Sequence, residues 1–115
     1  MSRLTTHILD TSHGRPAAGV MIELFRLQVD GLHPLTRQIS NADGRCEHPL
    51  LEGESFQLGR YQLHFHIGDY FDQVHAHDER FLDVVILAFA ITDTSRAWHL
   101  PLLCSPWSYS TYRGS

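Results

Sequence analysis

The sequence has little cysteine, no long hydrophobic run and no excess of positive charge. Its two cysteines, Cys46 and Cys104, allow one disulfide at most, which excludes a small scaffold held together by several disulfides and favours a reducing compartment. The longest strongly apolar stretch, residues 84–91, is far shorter than the ~20 residues of a membrane-spanning helix. Nine Lys and Arg against 13 Asp and Glu give a formal charge of −4, which disfavours nucleic acid as a partner.

Recognisable targeting signals are also lacking. The first residues are polar and charged, without the apolar segment of a signal peptide, and the terminal Arg-Gly-Ser is not a peroxisomal address. A length of 115 residues with 43% hydrophobic residues suits one compact domain over residues 1–115. We therefore expect a soluble cytoplasmic protein that does not associate with membranes.

Short runs of strand length, separated by Gly, Pro, Asn and Asp, dominate the pattern. Residues 61–68 alternate apolar and polar, which predicts a strand with its aromatic residues in the core and with His64 and His66 on the opposite face. Residues 69–83 are polar with weak periodicity and fit either a short helix or a loop. About seven strands with at most one helix predict an antiparallel β-sandwich. The other candidate strands are residues 4–9, 19–29, 35–40, 84–91, 98–104 and 109–113.

The stretch from residue 84 to residue 91 is apolar on both faces of the predicted strand. Such a strand is either central in its sheet or has its second face covered by another subunit.

Histidine is abundant, with nine in the chain, and it is the side chain that titrates near neutrality. His7 and His99 lie among strand-forming neighbours, and Arg45 follows the Asp43-Gly44 turn. Taken singly, each fits an ordinary strand or hairpin residue. Residues 108–115 fit either a frayed tail or a chain end whose Gly-Ser approaches something closely.

Four segments together resemble the 5-hydroxyisourate hydrolases of the transthyretin-related family, and the resemblance runs almost end to end. They are THILDT at residues 6–11, NADGR at 41–45, HLPLL at 99–103 and YRGS at 112–115. The C-terminal tetrapeptide is the most specific, since it separates the hydrolases from transthyretin, a hormone carrier. Trp98 departs from the family, which often has Tyr before the histidine at position 99.

The resemblance implies an all-β fold: a transthyretin-like antiparallel β-sandwich of seven to eight strands with one short helix, assembled as a homotetramer. It implies hydrolysis of 5-hydroxyisourate to 2-oxo-4-hydroxy-4-carboxy-5-ureidoimidazoline in urate catabolism, with no metal or cofactor. Carried over residue by residue, it implies catalytic roles for His7, Arg45 and His99 and substrate binding by Tyr112, Arg113, Gly114 and Ser115.

We expect His7 to act as the general base and His99 as its partner and proton relay, or the reverse. Arg45 would lower the imidazole pKa by its charge and donate hydrogen bonds to the substrate ring. The site would lie at an interface between subunits, because a single small sandwich offers no deep cleft. Cys46 adjoins Arg45, but we expect a spectator thiol rather than a nucleophile.

Two other functions remain open from the residues. His64-x-His66 and His75-x-His77 could bind a metal ion, because residues two apart on a strand share a face. The chain could also be a carrier of apolar aromatic ligands in the manner of transthyretin, although such a channel would not need His7, Arg45 and His99.

Overall fold

The protein is a sandwich of two β-sheets with one α-helix, described for residues 2–74 and 79–114 of a computed structural model. The strands are β1 (Arg3–Asp10), β2 (Arg15–Pro16), β3 (Met21–Gln28), β4 (Gly31–Ile39), β5 (Leu51–Glu52), β6 (Gly59–Phe65), β7 (Val85–Ile91), β8 (Trp98–Cys104) and β9 (Tyr109–Thr111). The helix α1 spans Ile67–Val74, and a short 3-10 turn spans Gly53–Ser55.

The first sheet has the order β2-β1-β8-β9, with β5 also paired to β1, and the second has the order β4-β3-β6-β7. The predicted β-sandwich with one short helix is confirmed. The strand pairs are antiparallel except β1 with β8, which run parallel. The described residues form nine strands rather than seven to eight, because β2 and β5 add two short strands of two residues each.

The core lies between the sheets and follows the two-residue period of the strands. In β1, Leu4 and Ile8 are fully buried, as are Leu24 in β3 and Leu63 in β6. Each such side chain contributes about 1.5–3 kcal/mol through burial. This packing fixes which residues of β1 and β8 face outward.

The strand predicted for residues 61–68 is too long at its C-terminal end. β6 ends at Phe65, and Ile67 begins α1. Ile67, Tyr70, Phe71 and Val74 have the i, i+3, i+4, i+7 spacing of an apolar helix face, and the first three are buried. Ile67 therefore fits both the two-residue alternation of β6 and the apolar face of α1. Residues 69–83 were expected to form either a short helix or a loop, and the structure shows a helix up to residue 74.

β7 lies at the edge of its sheet, which excludes the first of the two alternatives, a central strand, and leaves the second, a face covered by another subunit. Its inward residue Val85 is buried, whereas Ile86 on the outer face is 48% exposed. The apolar outer face therefore has no cover from within the described chain.

A buried carboxylate ties the end of β1 to the helix. Asp10 accepts hydrogen bonds from Ser12, from the His13 ring and from the Tyr70 hydroxyl, the last at 2.7 Å. Burial works to raise the pKa of Asp10, but the hydrogen bonds from Ser12, Tyr70 and His13 outweigh it and hold that pKa below its ordinary value. Asp10 is thus an ionised structural residue.

Within the described ranges, no helix is long and apolar enough to cross a membrane.

Candidate active site

The outer face of the first sheet brings two histidines together. Along β1, Leu4 points inward, so Thr5 and His7 point outward. The parallel register places Thr5 beside His99 and His7 beside Pro101 of β8. Because β1 and β8 are adjacent at the centre of the sheet, His7 and His99 lie diagonally across one outer face.

A glycine turn brings Arg45 to the other side of His7. Gly44 has φ +75° and its carbonyl accepts a 2.8 Å hydrogen bond from the Ile8 N–H. A Cβ at Gly44 would lie 2.4 Å from the Ile8 carbonyl oxygen, so only glycine permits this approach. Asn41 Oδ1 accepts a hydrogen bond from the Arg45 N–H, and Arg45 forms a β-bridge with His7. The expectation that Arg45 follows a turn is confirmed, because the Gly44 N–H donates to the Asn41 carbonyl directly before it.

The C-terminal tail lies against His99 on the side opposite β1. It continues the register of β9, in which Thr111 pairs with Leu102 and Gly114 pairs with His99. The Gly114 N–H donates to the His99 carbonyl at 2.6 Å, and the His99 N–H donates back at 3.2 Å. A Cβ at Gly114 would lie 3.6 Å from His99 Cδ2, so the bare backbone leaves space beside the imidazole.

The other three tail residues differ in placement. The register puts Tyr112 on the same sheet face as Gly114, and its side chain is 61% exposed. The Arg113 guanidinium instead lies over the indole of Trp98, 4.9 Å from the ring centroid. Ser115 lies outside the described residues.

Burial and charge lower the pKa of both histidines. For His99 the causes are burial, then the charge of Arg45, then His7. For His7 they are burial and then Arg45, partly offset by a hydrogen bond with the Asp43 backbone and by the Asp43 carboxylate. Arg45 acts on both histidines and His7 acts on His99, so the three residues form one electrostatic cluster. Both imidazoles are therefore neutral at pH 7.

The pattern of residues did not single out Thr5 or Asp43 as part of the site. Thr5 Oγ1 lies 2.8 Å from His99 Nδ1. The available signal for Thr5 was its position two residues before His7, which places both on one strand face. The available signal for Asp43 was its position in the turn that places Arg45 beside His7.

Chemically, this arrangement offers neutral imidazoles that can accept a proton and a guanidinium that can stabilise a developing oxyanion. A pocket of about 260 Å³ adjoins it, lined in part by Thr5, Arg45 and Cys46. Burial raises the pKa of the Cys46 thiol to about 11. Cys46 is thus a thiol rather than a thiolate at neutral pH, as expected of a spectator.

The histidines of the second sheet have other partners. His64 Nε2 lies 2.9 Å from Gln62 Oε1, and His66 Nε2 lies 2.7 Å from Glu23 Oε1. His75 and His77 fall outside the described residues. In the part of the chain that is described, no group of three or more His, Cys, Asp or Glu could hold a metal ion.

Comparison with known families adds a decisive observation, because a model of the HIUase/Transthyretin family matches residues 4–114. The chain belongs to this family. A 5-hydroxyisourate hydrolase of Deinococcus radiodurans is 53% identical over 97% of this chain and 95% of its own length. The resemblance seen in the four sequence segments is confirmed.

Solved structures of the HIUase/Transthyretin family also confirm the transthyretin-like fold. The structure of Klebsiella pneumoniae 5-hydroxyisourate hydrolase has a TM-score of 0.83 and 36% identity, covering 100% of both chains. Transthyretin from Sparus aurata has a TM-score of 0.89 but 25% identity, covering 99% of this chain and 97% of its own. The fold is shared with both, whereas the sequence is more similar to the hydrolases.

Proposed function

We propose that the protein hydrolyses 5-hydroxyisourate to 2-oxo-4-hydroxy-4-carboxy-5-ureidoimidazoline in urate catabolism, without a metal or cofactor. The observation that carries the proposal is the convergence of His7, Arg45 and His99 on one sheet face, although they are far apart in the sequence. The 53% identity to a protein named 5-hydroxyisourate hydrolase supports the same substrate.

His7 acts as the general base. Its hydrogen bond with the Asp43 backbone acts to raise the His7 pKa, against the larger effects of burial and Arg45. This direction is that of a ring N–H that donates to the Asp43 carbonyl. A neutral ring that donates from one nitrogen has a lone pair on the other, and that nitrogen removes a proton from water. The resulting hydroxide adds to the ring carbonyl carbon of the substrate.

His99 is the proton relay. When its Nδ1–H donates to Thr5 Oγ1, Nε2 carries the lone pair that receives a proton from the His7 side. As the carbon–nitrogen bond of the tetrahedral intermediate breaks, the proton passes to the leaving nitrogen, and the ring opens to a carboxylate. One water is consumed, and no group is left on the protein.

Arg45 has two tasks. With burial, which is the larger cause, its charge lowers the pKa of both imidazoles and so favours the neutral form that can accept a proton. Its planar set of N–H donors also stabilises the oxyanion that forms when hydroxide adds to the carbonyl. Tyr112, Gly114 and Ser115 bind the substrate. The Gly114 backbone leaves room for it beside the His99 ring.

The proposal is tested by generating 5-hydroxyisourate from urate in the cuvette and following its ultraviolet decay. The protein should accelerate decay, and His7→Asn and His99→Asn should each reduce kcat/KM by about 10²–10⁴-fold, the usual contribution of a general acid or base. His33→Asn is the matched control, because His33 pairs with Asp30 on an exposed hairpin. Decay at the same rate with and without the wild-type protein would refute the proposal.

The active particle is a homotetramer in the cytoplasm, built from one transthyretin-like domain per chain. Support comes from the open site: Arg45 is exposed in the single chain, and Tyr112, on the same sheet face as His99, is 61% exposed. A second sheet face packed over this surface would exclude water from the imidazoles. Light scattering should give four copies, and a monomeric variant that keeps full activity would contradict an intersubunit site.

A carrier function is the remaining alternative. It is favoured only by the shared fold with transthyretin. The decay assay separates the two functions, because a carrier would bind an apolar aromatic ligand without accelerating ring opening.

A further inference from the structure

We propose that Trp98 and Arg113 form a clamp that holds the C-terminal tail against His99, so that Arg113 is a positioning residue and not a substrate contact. The kinetic part of this inference rests on the proposed function. It assigns Arg113 a role different from the substrate binding expected from the resemblance.

The register of the tail separates Arg113 from the imidazoles. Directly paired residues of antiparallel strands have their side chains on the same face, so Gly114 shares the outer face with His99. The preceding residue, Arg113, then points to the inner face, where Trp98 also points. The guanidinium position 4.9 Å from the Trp98 ring centroid agrees with this alternation.

Trp98 is a rigid platform for the cation. It is only 5% exposed, and its Nε1–H donates a 2.9 Å hydrogen bond to the Asp93 carbonyl. A guanidinium that lies over the face of a fixed indole is attracted by the negative charge of that face. The tail is therefore attached to the body of the sandwich through a side chain as well as through backbone bonds.

A carboxylate near Trp98 adds a second attraction. Asp93 accepts hydrogen bonds from Ser95, and these hold its pKa below the ordinary value, with the charges of Arg96 and Arg113 acting in the same direction. The charge of the Asp93 carboxylate thus adds an attraction for the Arg113 cation.

The tail needs such an anchor because of where it lies. β9 ends at Thr111, and the isolated bridge between Gly114 and His99 forms three residues later. Segments held by few backbone hydrogen bonds open readily. When Arg113 is stacked on Trp98, which directly precedes His99, the flanking residue Gly114 is held in register with the imidazole.

The structural test is hydrogen exchange of the Gly114 amide, measured by NMR, and it does not depend on the reaction. Arg113→Gln should accelerate this exchange at least tenfold, and Arg113→Lys should have a smaller effect because it keeps the charge but loses the planar stack. Arg96→Gln is the matched control, since Arg96 pairs with Asp93 but does not stack on Trp98. Unchanged Gly114 exchange in Arg113→Gln would overturn the clamp.

The kinetic test is a double-mutant cycle with Trp98→Phe. If Arg113 acts through Trp98, the double variant should lose no more kcat/KM than the worse single variant, about tenfold, with an unchanged acid limb of the pH profile. Multiplying losses would mean that Arg113 contacts the substrate directly and would overturn the inference. If Trp98→Phe does not fold, Arg113→Gln and Arg113→Lys are compared instead. The variant with the faster Gly114 exchange should lose more kcat/KM, and a loss that does not follow the exchange rate would overturn the inference. A wild-type protein inactive on 5-hydroxyisourate would refute the proposed function but leave the exchange test valid.

Discussion

Thr5 Oγ1 and His99 Nδ1 are 2.8 Å apart because the parallel register of β1 and β8 places the two residues side by side. This contact orients the imidazole and leaves Nε2 for the proton transfer that we propose. Because Thr5 lies on the same strand as His7, the pairing of β1 with β8 sets the positions of both histidines.

Thr5→Val keeps the shape of the side chain and removes the hydroxyl. We expect kcat/KM to fall about fivefold, because one hydrogen bond contributes about 1 kcal/mol, while the melting temperature changes little. Thr11→Val is the control: its hydroxyl bonds the Cys104 carbonyl at the far end of β1. Equal kinetic effects of the two substitutions would show that Thr5 does not orient His99.

Gly44→Ala tests whether the close approach of the turn to β1 positions Arg45. The new Cβ would collide with the Ile8 carbonyl and push the turn away from His7, so kcat/KM should fall on the order of 100-fold, the effect of misplacing a reacting group by about 1 Å. Gly14→Ala is the matched control, since Gly14 also has positive φ but nothing within 4 Å of the added Cβ. It should cost about 1 kcal/mol of unfolding free energy and leave kcat/KM intact.

Cys46→Ser tests the exclusion of thiol chemistry. A thiol with a pKa of about 11 is almost fully protonated at pH 7, so the substitution should leave kcat/KM within about twofold. Steady-state kinetics on the purified variant, with a melting curve to verify folding, provide the check. A large loss of activity in a folded protein would indicate a nucleophilic cysteine.

The two-residue period predicted the sandwich and the inward faces, because the core residues of β1, β3 and β6 alternate regularly. The local pattern did not show where β6 ends, because Ile67 fits both a strand and a helix face. For β7 it left two alternatives, and only the sheet order excludes a central position. The partnership of Thr5 with His99 could not be predicted, since alternation does not reveal which strands pair or in which direction. The resemblance grouped Arg113 with the substrate-binding residues, whereas its side-chain direction depends on the register of the tail.

The central claim is that the Arg45 charge, added to burial, lowers the pKa of both imidazoles of a hydrolytic site, and Arg45→Gln tests it most directly. His7 and His99 would be titrated by NMR, with signals assigned from the Asn variants, and kcat/KM for 5-hydroxyisourate would be measured against pH on the same samples. In the wild type, both pKa values should lie below about 6.5, with the acid limb following one of them. Because the Arg45 charge lowers both pKa values, its removal should move both, and the acid limb with them, to higher pH. Histidine pKa values that do not rise in Arg45→Gln, or an acid limb that stays in place while they rise, would contradict the account.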